Sequence, residues 1–142
     1  MSLSSFSLFK NSQLRCFLCE SSRRNMPYFS VTTNQSLSPE DETALLEDLS
    51  RTCAELLGKP EDYVMVRLNL GERLFFAGTD EPAVFGELFS IGLAVSEVPR
   101  LSAILCELLK ERLAVPAERT YLNFHDAPRE LWGWNGRTFA KS

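Results

Sequence analysis

Cysteine and histidine are the residue types that most often bind metals or form disulfides, and the sequence contains four cysteines and one histidine. Cys16 and Cys19 have the spacing of a redox or half-zinc motif, but no second pair or nearby histidine completes it. Cys53 and Cys106 lie among leucines at helical spacing, which is typical of small apolar core residues. His125 is expected in a surface position or a turn. We therefore expect no metal site and no bound cofactor.

The nitrogen of proline is basic only when proline is the first residue of a chain. Pro27 follows Met26, and a methionine before proline is usually removed. Inside a chain, the proline nitrogen is a tertiary amide with no proton and no basicity. At a free terminus it becomes a secondary amine, whose ordinary pKa of about 7.7 to 8.0 is lowered by burial and by a nearby cation. Such an amine could take a proton from a carbon next to a carbonyl group. From the dipeptide alone, however, the ordinary interpretation is a proline at the start of a strand.

The overall composition limits the classes of function. The formal net charge is −4, and no cluster of Lys and Arg of the kind that binds phosphates occurs, so we expect no nucleic-acid partner. No apolar run approaches the roughly 18 to 20 residues that span a membrane, so we expect no membrane association. With 142 residues and a 44% apolar content, the chain is expected to form one domain with appendages.

Residues 1–25 differ from the rest of the chain. They are rich in Ser, and Lys10, Arg15, Arg23 and Arg24 are opposed only by Glu20. This composition is compatible with an organelle transit peptide, and equally with a start codon assigned too far upstream. We therefore divide the sequence into a leader, residues 1–25, and a folded domain, residues 26–142. Without the leader, a cytoplasmic protein or one released by a leaderless route is expected; with a functional leader, an organelle is expected.

The first half of the domain has the pattern of a strand, a helix and a strand. Residues 27–33 are aromatic and β-branched, as in a strand. Ser38 is a suitable N-cap with Pro39 at the first helical position, and Gly58 is a suitable stop. The alternation in residues 64–70 predicts a half-buried strand, followed by a short strand at 74–76.

The second half repeats this order. Residues 85–91 predict a strand, a helix begins near Ser96 and Pro99, and residues 120–124 predict a final strand. The helical stripe consists of Leu101, Ile104, Leu105, Leu108, Leu109 and Leu113. Phe29-Ser30-Val31 and Phe89-Ser90-Ile91 match at an offset of about 60 residues, from 29 to 89.

A duplicated βαβ unit predicts the fold class, which is α/β (α+β): a four-stranded mixed sheet with two helices on one face. The other sheet face would be left without a cover. Aromatic and aliphatic residues exposed there would form a large apolar patch in a monomer, which predicts that oligomerisation covers it.

Several separate motifs follow one another along the chain: Met26-Pro27, Gly58-Lys59-Pro60, Ser90-Ile91-Gly92, Arg119-Thr120-Tyr121-Leu122-Asn123, Gly133-Trp134-Asn135 and Thr138-Phe139-Ala140. In this order and spacing they resemble the macrophage migration inhibitory factor and D-dopachrome tautomerase family. The resemblance covers residues 26–140. It implies a trimer-forming tautomerase fold with active sites between the subunits.

The resemblance also implies a role for each matched residue. Pro27 would be the catalytic base, and Lys59 with the backbone at Ile91 would hold a substrate carboxylate. Tyr121 and Asn123 would contribute from the adjacent subunit, and Trp134 and Phe139 would form an aromatic wall. These roles suit a small aromatic α-keto acid such as phenylpyruvate, with dopachrome isomerisation as a side activity.

The departures from the family pattern limit what the resemblance implies. Trp132 stands where the family more often has a smaller aliphatic residue, which leaves the substrate preference open. Where some members have a Cys-x-x-Cys motif, this chain has Ala83-Val84-Phe85-Gly86, so we expect no thiol–disulfide activity. A non-catalytic, cytokine-like signalling protein with a protein receptor is the alternative to an isomerase. A third possibility is an inactive trimer that retains the leader.

Overall fold

The computed structural model describes residues 26–140, so the leader and the Cys16/Cys19 pair lie outside the described residues. The elements of this part of the chain are β1 (Tyr28–Thr33), α1 (Pro39–Leu57), β2 (Met65–Asn69), β3 (Val84–Ser90), α2 (Val98–Leu113), β4 (Thr120–Asp126), β5 (Gly133–Trp134) and β6 (Arg137–Thr138). Single 3₁₀ turns cover Glu61–Tyr63, Val95–Glu97, Ala117–Arg119 and Arg129–Leu131. Neither α1 nor α2 has the length and apolar character needed to cross a membrane.

The sheet has the strand order β2-β1-β3-β4. The pairs β1/β2 and β3/β4 are parallel, and each pair is connected through one helix, as in a βαβ unit. The two central strands, β1 and β3, pair antiparallel and join the two units into one sheet. The predicted mixed four-stranded sheet with two helices is thus confirmed.

Helix α1 begins and ends at the predicted signals. The Ser38 hydroxyl accepts a hydrogen bond from the Asp41 amide at 3.2 Å, which satisfies one of the free N–H groups of the first turn. Gly58 adopts the left-handed conformation with a φ of 63°, which ends the helix. Between these caps, Leu45, Leu49 and Cys53 face the core. The helix is therefore specified by local chemistry at both ends and by its apolar stripe.

The core lies between the helices and one face of the sheet. Phe29 and Val31 of β1 and Leu88 of β3 pack with the buried stripe of α1 and with the stripe of α2, which consists of Leu101, Leu105, Leu109 and Leu113. Burial of such a side chain contributes about 1.5–3 kcal/mol. Burial also raises the pKa of the Cys53 thiol to about 12, so this thiol is neutral at physiological pH and acts as an apolar residue. Cys106 is only half-buried.

Three sequence-based expectations differ from the structure. Ile104 is 37% exposed because the buried residues of α2 recur every four positions, which leaves Ile104 beside the stripe. Phe29 faces the helices whereas Phe89 lies on the opposite sheet face, so the matched triplets are not structurally equivalent. Residues 74–76 form no strand; a single bridge between Phe76 and Thr79 closes a tight turn there.

The Arg119 side chain explains the tight turn. Its guanidinium donates hydrogen bonds to the carbonyl oxygens of Phe76, Thr79, Glu81 and Pro82, at distances from 2.8 to 3.5 Å. Arg119 is 9% exposed. A buried arginine with this many acceptors holds the loop curled against β4 and prevents it from extending along the sheet edge.

The sheet face opposite the helices carries three side chains from each strand: Tyr28, Ser30 and Thr32; Met65, Arg67 and Asn69; Phe85, Glu87 and Phe89; and Tyr121, Asn123 and His125. Its centre is a polar row of Ser30, Arg67, Glu87 and Asn123, so this face is less apolar than expected.

His125 lies on this face within strand β4, so of the two expected positions it has the surface one and not the turn. Its ring stacks on Phe89 at 4.2 Å, and its Nε2 lies 3.7 Å from the Glu87 carboxylate.

Gly86 provides a test of the packing between neighbouring strands. A Cβ atom at this position would lie 2.6 Å from Leu122 Cδ2 and 3.2 Å from the Phe29 ring. We expect Gly86→Ala to lower the free energy of unfolding by about 1–3 kcal/mol, the usual cost of overpacking, in urea denaturation. Gly133→Ala is the matched control, because its added Cβ would meet only the Arg137 carbonyl at 3.7 Å. If the two variants had the same free energy of unfolding, the close packing of Gly86 against Leu122 and Phe29 would be contradicted.

Candidate active site

An apolar cavity of about 600 Å³ lies at the end of the sheet where β1 begins and β3 ends. Its lining consists of Met26, Pro27, Tyr28, Tyr63, Met65, Phe89, Ala127, Leu131, Trp132 and Gly133. Four separate segments meet here: the start of β1, the 3₁₀ turn with the start of β2, the end of β3, and the chain after β4. A cavity of this size and character is suited to a small, largely apolar ligand.

Pro27 lies in the wall of this cavity and its side chain is less than 2% exposed. Its carbonyl accepts a hydrogen bond at 3.0 Å from the Met65 amide, where the pairing between β1 and β2 begins. This bond fixes Pro27 relative to the central strands. With Met26 attached, the Pro27 nitrogen is an amide and has no basic lone pair.

Lys59 directly follows the left-handed Gly58 cap, and its amide bonds back to the Ala54 carbonyl at 2.9 Å. The pKa of the Lys59 ammonium is lowered, first because the side chain is partly buried and second because the Arg129 guanidinium is nearby. Arg129 begins the 3₁₀ turn Arg129–Leu131, of which Leu131 lines the cavity. Neither Lys59 nor Arg129 belongs to the cavity lining; Arg129 lies in the same 3₁₀ turn as Leu131, and Lys59 lies near Arg129.

Ile91 immediately follows β3 and is 3% exposed. The turn after it is held by Asp126, whose Oδ1 accepts hydrogen bonds from the amides of Gly92 and Leu93 at 3.0 and 3.1 Å. The backbone at Ile91 is thus rigidly held at the same end of the sheet as Pro27.

The C-terminal hairpin provides an aromatic cluster next to the cavity. Asn135 and Gly136 both have positive φ angles, as a tight two-residue turn requires, so that β5 pairs with β6. Trp134 stacks on Phe139 at 5.9 Å and meets Tyr63 edge-on at 5.7 Å. Since Tyr63 lines the cavity, these three rings form a continuous aromatic wall behind it.

Tyr121 and Asn123 are not brought to this cavity within one chain. Both are exposed on the sheet face opposite the helices, and the Tyr121 side chain is 61% exposed. Phe76 contacts the Tyr121 ring edge-on at 4.8 Å. Of the seven residues predicted for the site, Pro27 lines the cavity, Trp134 and Phe139 adjoin it through Tyr63, and Ile91 follows the end of β3. Lys59 lies near Arg129, outside the lining.

The chain is similar along the whole described region to proteins of one family. The profile of the family described as Macrophage migration inhibitory factor (MIF) matches residues 26–140. The chain belongs to the MIF family of the tautomerase superfamily. A MIF homolog from Trichuris trichiura is 42% identical over 115 residues, which are 80% of this chain and 100% of that protein. MIF from Xenopus tropicalis is 35% identical, with 81% and 100% covered.

Solved MIF structures agree with the fold of this chain. The MIF homologue from Prochlorococcus marinus aligns with a TM-score of 0.76 at 39% identity, covering 80% of this chain and 99% of that one. MIF from Trichinella spiralis aligns with a TM-score of 0.72 at 34% identity, covering 78% and 98%.

Within this MIF-family chain, the structure adds residues that the sequence analysis did not assign to the site. Tyr63, Met65, Phe89 and Leu131 line the cavity, and Arg129 lies beside Lys59. Tyr63 could have been suggested by its place shortly after Gly58-Lys59-Pro60. No local signal identifies Met65 and Phe89, because they reach the cavity through their pairing with Tyr28.

Trp132 lines the cavity, as its departure from the MIF-family pattern led us to expect. Its carbonyl accepts a hydrogen bond from the Phe139 amide at 3.1 Å, which ties the cavity wall to the aromatic cluster.

The effect of the Arg129 charge on the pKa of Lys59 can be measured directly. We expect Arg129→Ala to raise the Lys59 pKa toward the ordinary lysine value of about 10.4, because one repulsive cation is removed while partial burial remains. The measurement is an NMR titration of the lysine side chains, with the Lys59 signal assigned through Lys59→Arg. Arg100→Ala is the matched control, since Arg100 is exposed and paired with Glu97 on α2. An unchanged Lys59 pKa in Arg129→Ala would contradict the coupling.

Proposed function

We propose that the chain beginning at Pro27 is an isomerase that interconverts the keto and enol forms of aromatic α-keto acids such as phenylpyruvate. The observation that carries this proposal is the burial of Pro27 in the wall of an apolar cavity. An amine in this setting is held neutral by burial. Family membership in the tautomerase superfamily supports the same class of reaction.

The reaction requires only one proton carrier. The neutral Pro27 amine takes a proton from the carbon next to the keto group, and the C–H electron pair forms the new carbon–carbon double bond. The carbonyl π electrons move to oxygen, which then receives the proton from the Pro27 ammonium. Atoms and electrons balance without a cofactor, and the reverse sequence ketonises the enol. Positioned proton transfer of this kind contributes about 100-fold to 10,000-fold.

The substrate carboxylate is proposed to bind Lys59 and the backbone at Ile91. A carboxylate near Lys59 and Arg129 would reduce the repulsion that lowers the Lys59 pKa. The same group would place the acidic carbon toward Pro27. The substrate ring would then pack against Tyr63, with Trp134 and Phe139 behind it.

A homotrimer is proposed to complete the site. The sheet face opposite the helices exposes Tyr121 and Asn123 together with the central polar row that includes Arg67 and Glu87. Covering this face with other copies of the chain would bring Tyr121 and Asn123 of one protomer to the cavity of its neighbour. This arrangement explains why one protomer leaves them outside its own cavity.

A non-catalytic, cytokine-like binding protein, with a protein receptor as partner, is the second candidate. It is favoured by Met26, which precedes Pro27 and itself lines the cavity. A molecule that retains Met26 has no amine at Pro27 and would act only through its outer surface. The mature N-terminus distinguishes this candidate from the isomerase.

The first test is the role of the Pro27 amine. We expect the chain that starts at Pro27 to ketonise phenylenolpyruvate, followed by absorbance. Pro27→Gly should reduce kcat/KM by about 100-fold or more, because the secondary amine is lost. Analytical ultracentrifugation should show both proteins as trimers. Equal rates would end the assignment of Pro27 as the base.

The matching control is the full chain from Met1, in which the Pro27 nitrogen is acylated. It should be inactive even where it assembles. N-terminal sequencing and intact mass of the natively expressed protein then decide which form exists. Turnover by a protein that still carries Met26 would contradict the mechanism.

Lys59 is tested by its effect on substrate binding. We expect Lys59→Ala to raise KM by roughly 10-fold to 100-fold, as the loss of a charge-assisted contact predicts. Lys110→Ala is the matched control, since Lys110 is the exposed lysine in the last turn of the other helix. An unchanged KM and kcat in Lys59→Ala would remove Lys59 from the site.

A further inference from the structure

The Ser90 hydroxyl is a buried polar group that needs an explanation. Ser90 is 1% exposed, and its Oγ has no hydrogen-bond partner among residues 26–140. A buried hydroxyl without a partner is destabilising by about 1–3 kcal/mol, and such groups are uncommon in folded proteins. A change in the covalent state of a neighbouring residue could supply the missing partner.

Continuing the strand register by one residue places Ser90 opposite Pro27. The last paired residues are Tyr28 of β1 and Phe89 of β3, and Pro27 and Ser90 are the next residues outward. Both side chains are buried, whereas Tyr28 and Phe89 are half-buried on the other face. Pro27 and Ser90 are therefore neighbours on the helix-covered side of the sheet.

The backbone hydrogen bonds show how close this pair is. The Pro27 carbonyl accepts from the Met65 amide of β2, and the Ser90 carbonyl accepts from the Ala127 amide after β4. Both carbonyls therefore point away from the partner strand, which defines a pair without mutual backbone hydrogen bonds. In such pairs the Cα atoms lie about 4.5 Å apart and the side chains are closest. The Ser90 hydroxymethyl group thus lies beside the Pro27 ring, of which the nitrogen is a member.

The covalent state of Pro27 determines whether that nitrogen can serve as a partner. As an amide after Met26, it carries no proton and cannot donate to Ser90. As a terminal secondary amine, it has one N–H. We propose that Ser90 Oγ accepts this hydrogen bond and is a positioning residue for the Pro27 amine, an inference that rests on the proposed function. The N–H bound to Ser90 leaves the lone pair free for the substrate.

The hydrogen bond also affects the proton affinity of the amine. A hydroxyl oxygen stabilises the charged ammonium more than the neutral amine, because charge-assisted hydrogen bonds are stronger. Ser90 therefore raises the Pro27 pKa, whereas burial lowers it. The other titratable groups that face the amine are the phenols of Tyr28 and Tyr63 in the cavity lining.

The experiment uses the chain that begins at Pro27. This part contains the entire described fold, and MIF relatives of the same extent are matched over 100% of their own length, so it folds by itself. With ¹⁵N-labelled proline, NMR titration of Pro27 should show that Ser90→Ala lowers the proton affinity of the amine about tenfold. Ser90→Thr keeps the hydroxyl and should restore the wild-type value. The acid limb of the pH–rate profile should move to lower pH in Ser90→Ala alone.

Thr33→Val is the matched control. Thr33 is also buried on the helix-covered face, at the far end of β1, and its hydroxyl donates to the Ala83 carbonyl at 2.8 Å. Its replacement should reduce stability without changing the Pro27 pKa. A Pro27 pKa that is unchanged in Ser90→Ala, or lowered equally by Thr33→Val, would overturn the proposal.

A second measurement does not depend on turnover. In the full chain, where Pro27 is acylated, Ser90→Ala removes an unsatisfied hydroxyl and should leave Tm unchanged or raised. In the chain from Pro27, the same change breaks a hydrogen bond and should lower Tm. Equal shifts in both chains would overturn the proposal. If both measurements succeed but the wild type does not act on α-keto acids, the Ser90 contact stands and the proposed function fails.

Discussion

The burial of Pro27 at the start of the central strand β1 is the constraint on which the rest of the structure depends. β1 pairs with β2 on one side and with β3 on the other, so every strand contact between the two βαβ units passes through it. Pro27 opens this strand, and a bond from Met65 fixes its carbonyl. The site is therefore built into the middle of the sheet. Side chains at this site are therefore held in position as firmly as the residues of the core.

The electrostatic design of the site follows from its location. Lys59 and Arg129 lie close enough for one charge to disfavour the other, and Lys59 is partly withdrawn from water. Folding places Lys59 there because Gly58 ends α1 in a left-handed conformation and the chain turns sharply. Perturbed charges beside a cavity are typical of functional sites.

Local signals in the sequence were sufficient for much of the fold. Ser38 and Gly58 predicted both ends of α1, and alternating apolar residues predicted the strands within a few positions. What failed involves distant partners. The curl of residues 76–82 depends on Arg119, which lies 40 residues after Thr79, and no local pattern reveals it. Phe89 reaches the cavity because of its register with Tyr28, which the sequence does not encode locally.

Arg119 holds the loop between β2 and β3 mainly through main-chain oxygen atoms, and its guanidinium also lies 5.2 Å from the centre of the Phe76 ring. Every residue type has a main-chain oxygen, so apart from Phe76 the path of this loop depends little on which side chains it carries. Phe75, which is 78% exposed, can thus be replaced without disturbing the scaffold. The loop is a segment whose surface properties can diversify during evolution while its path stays the same.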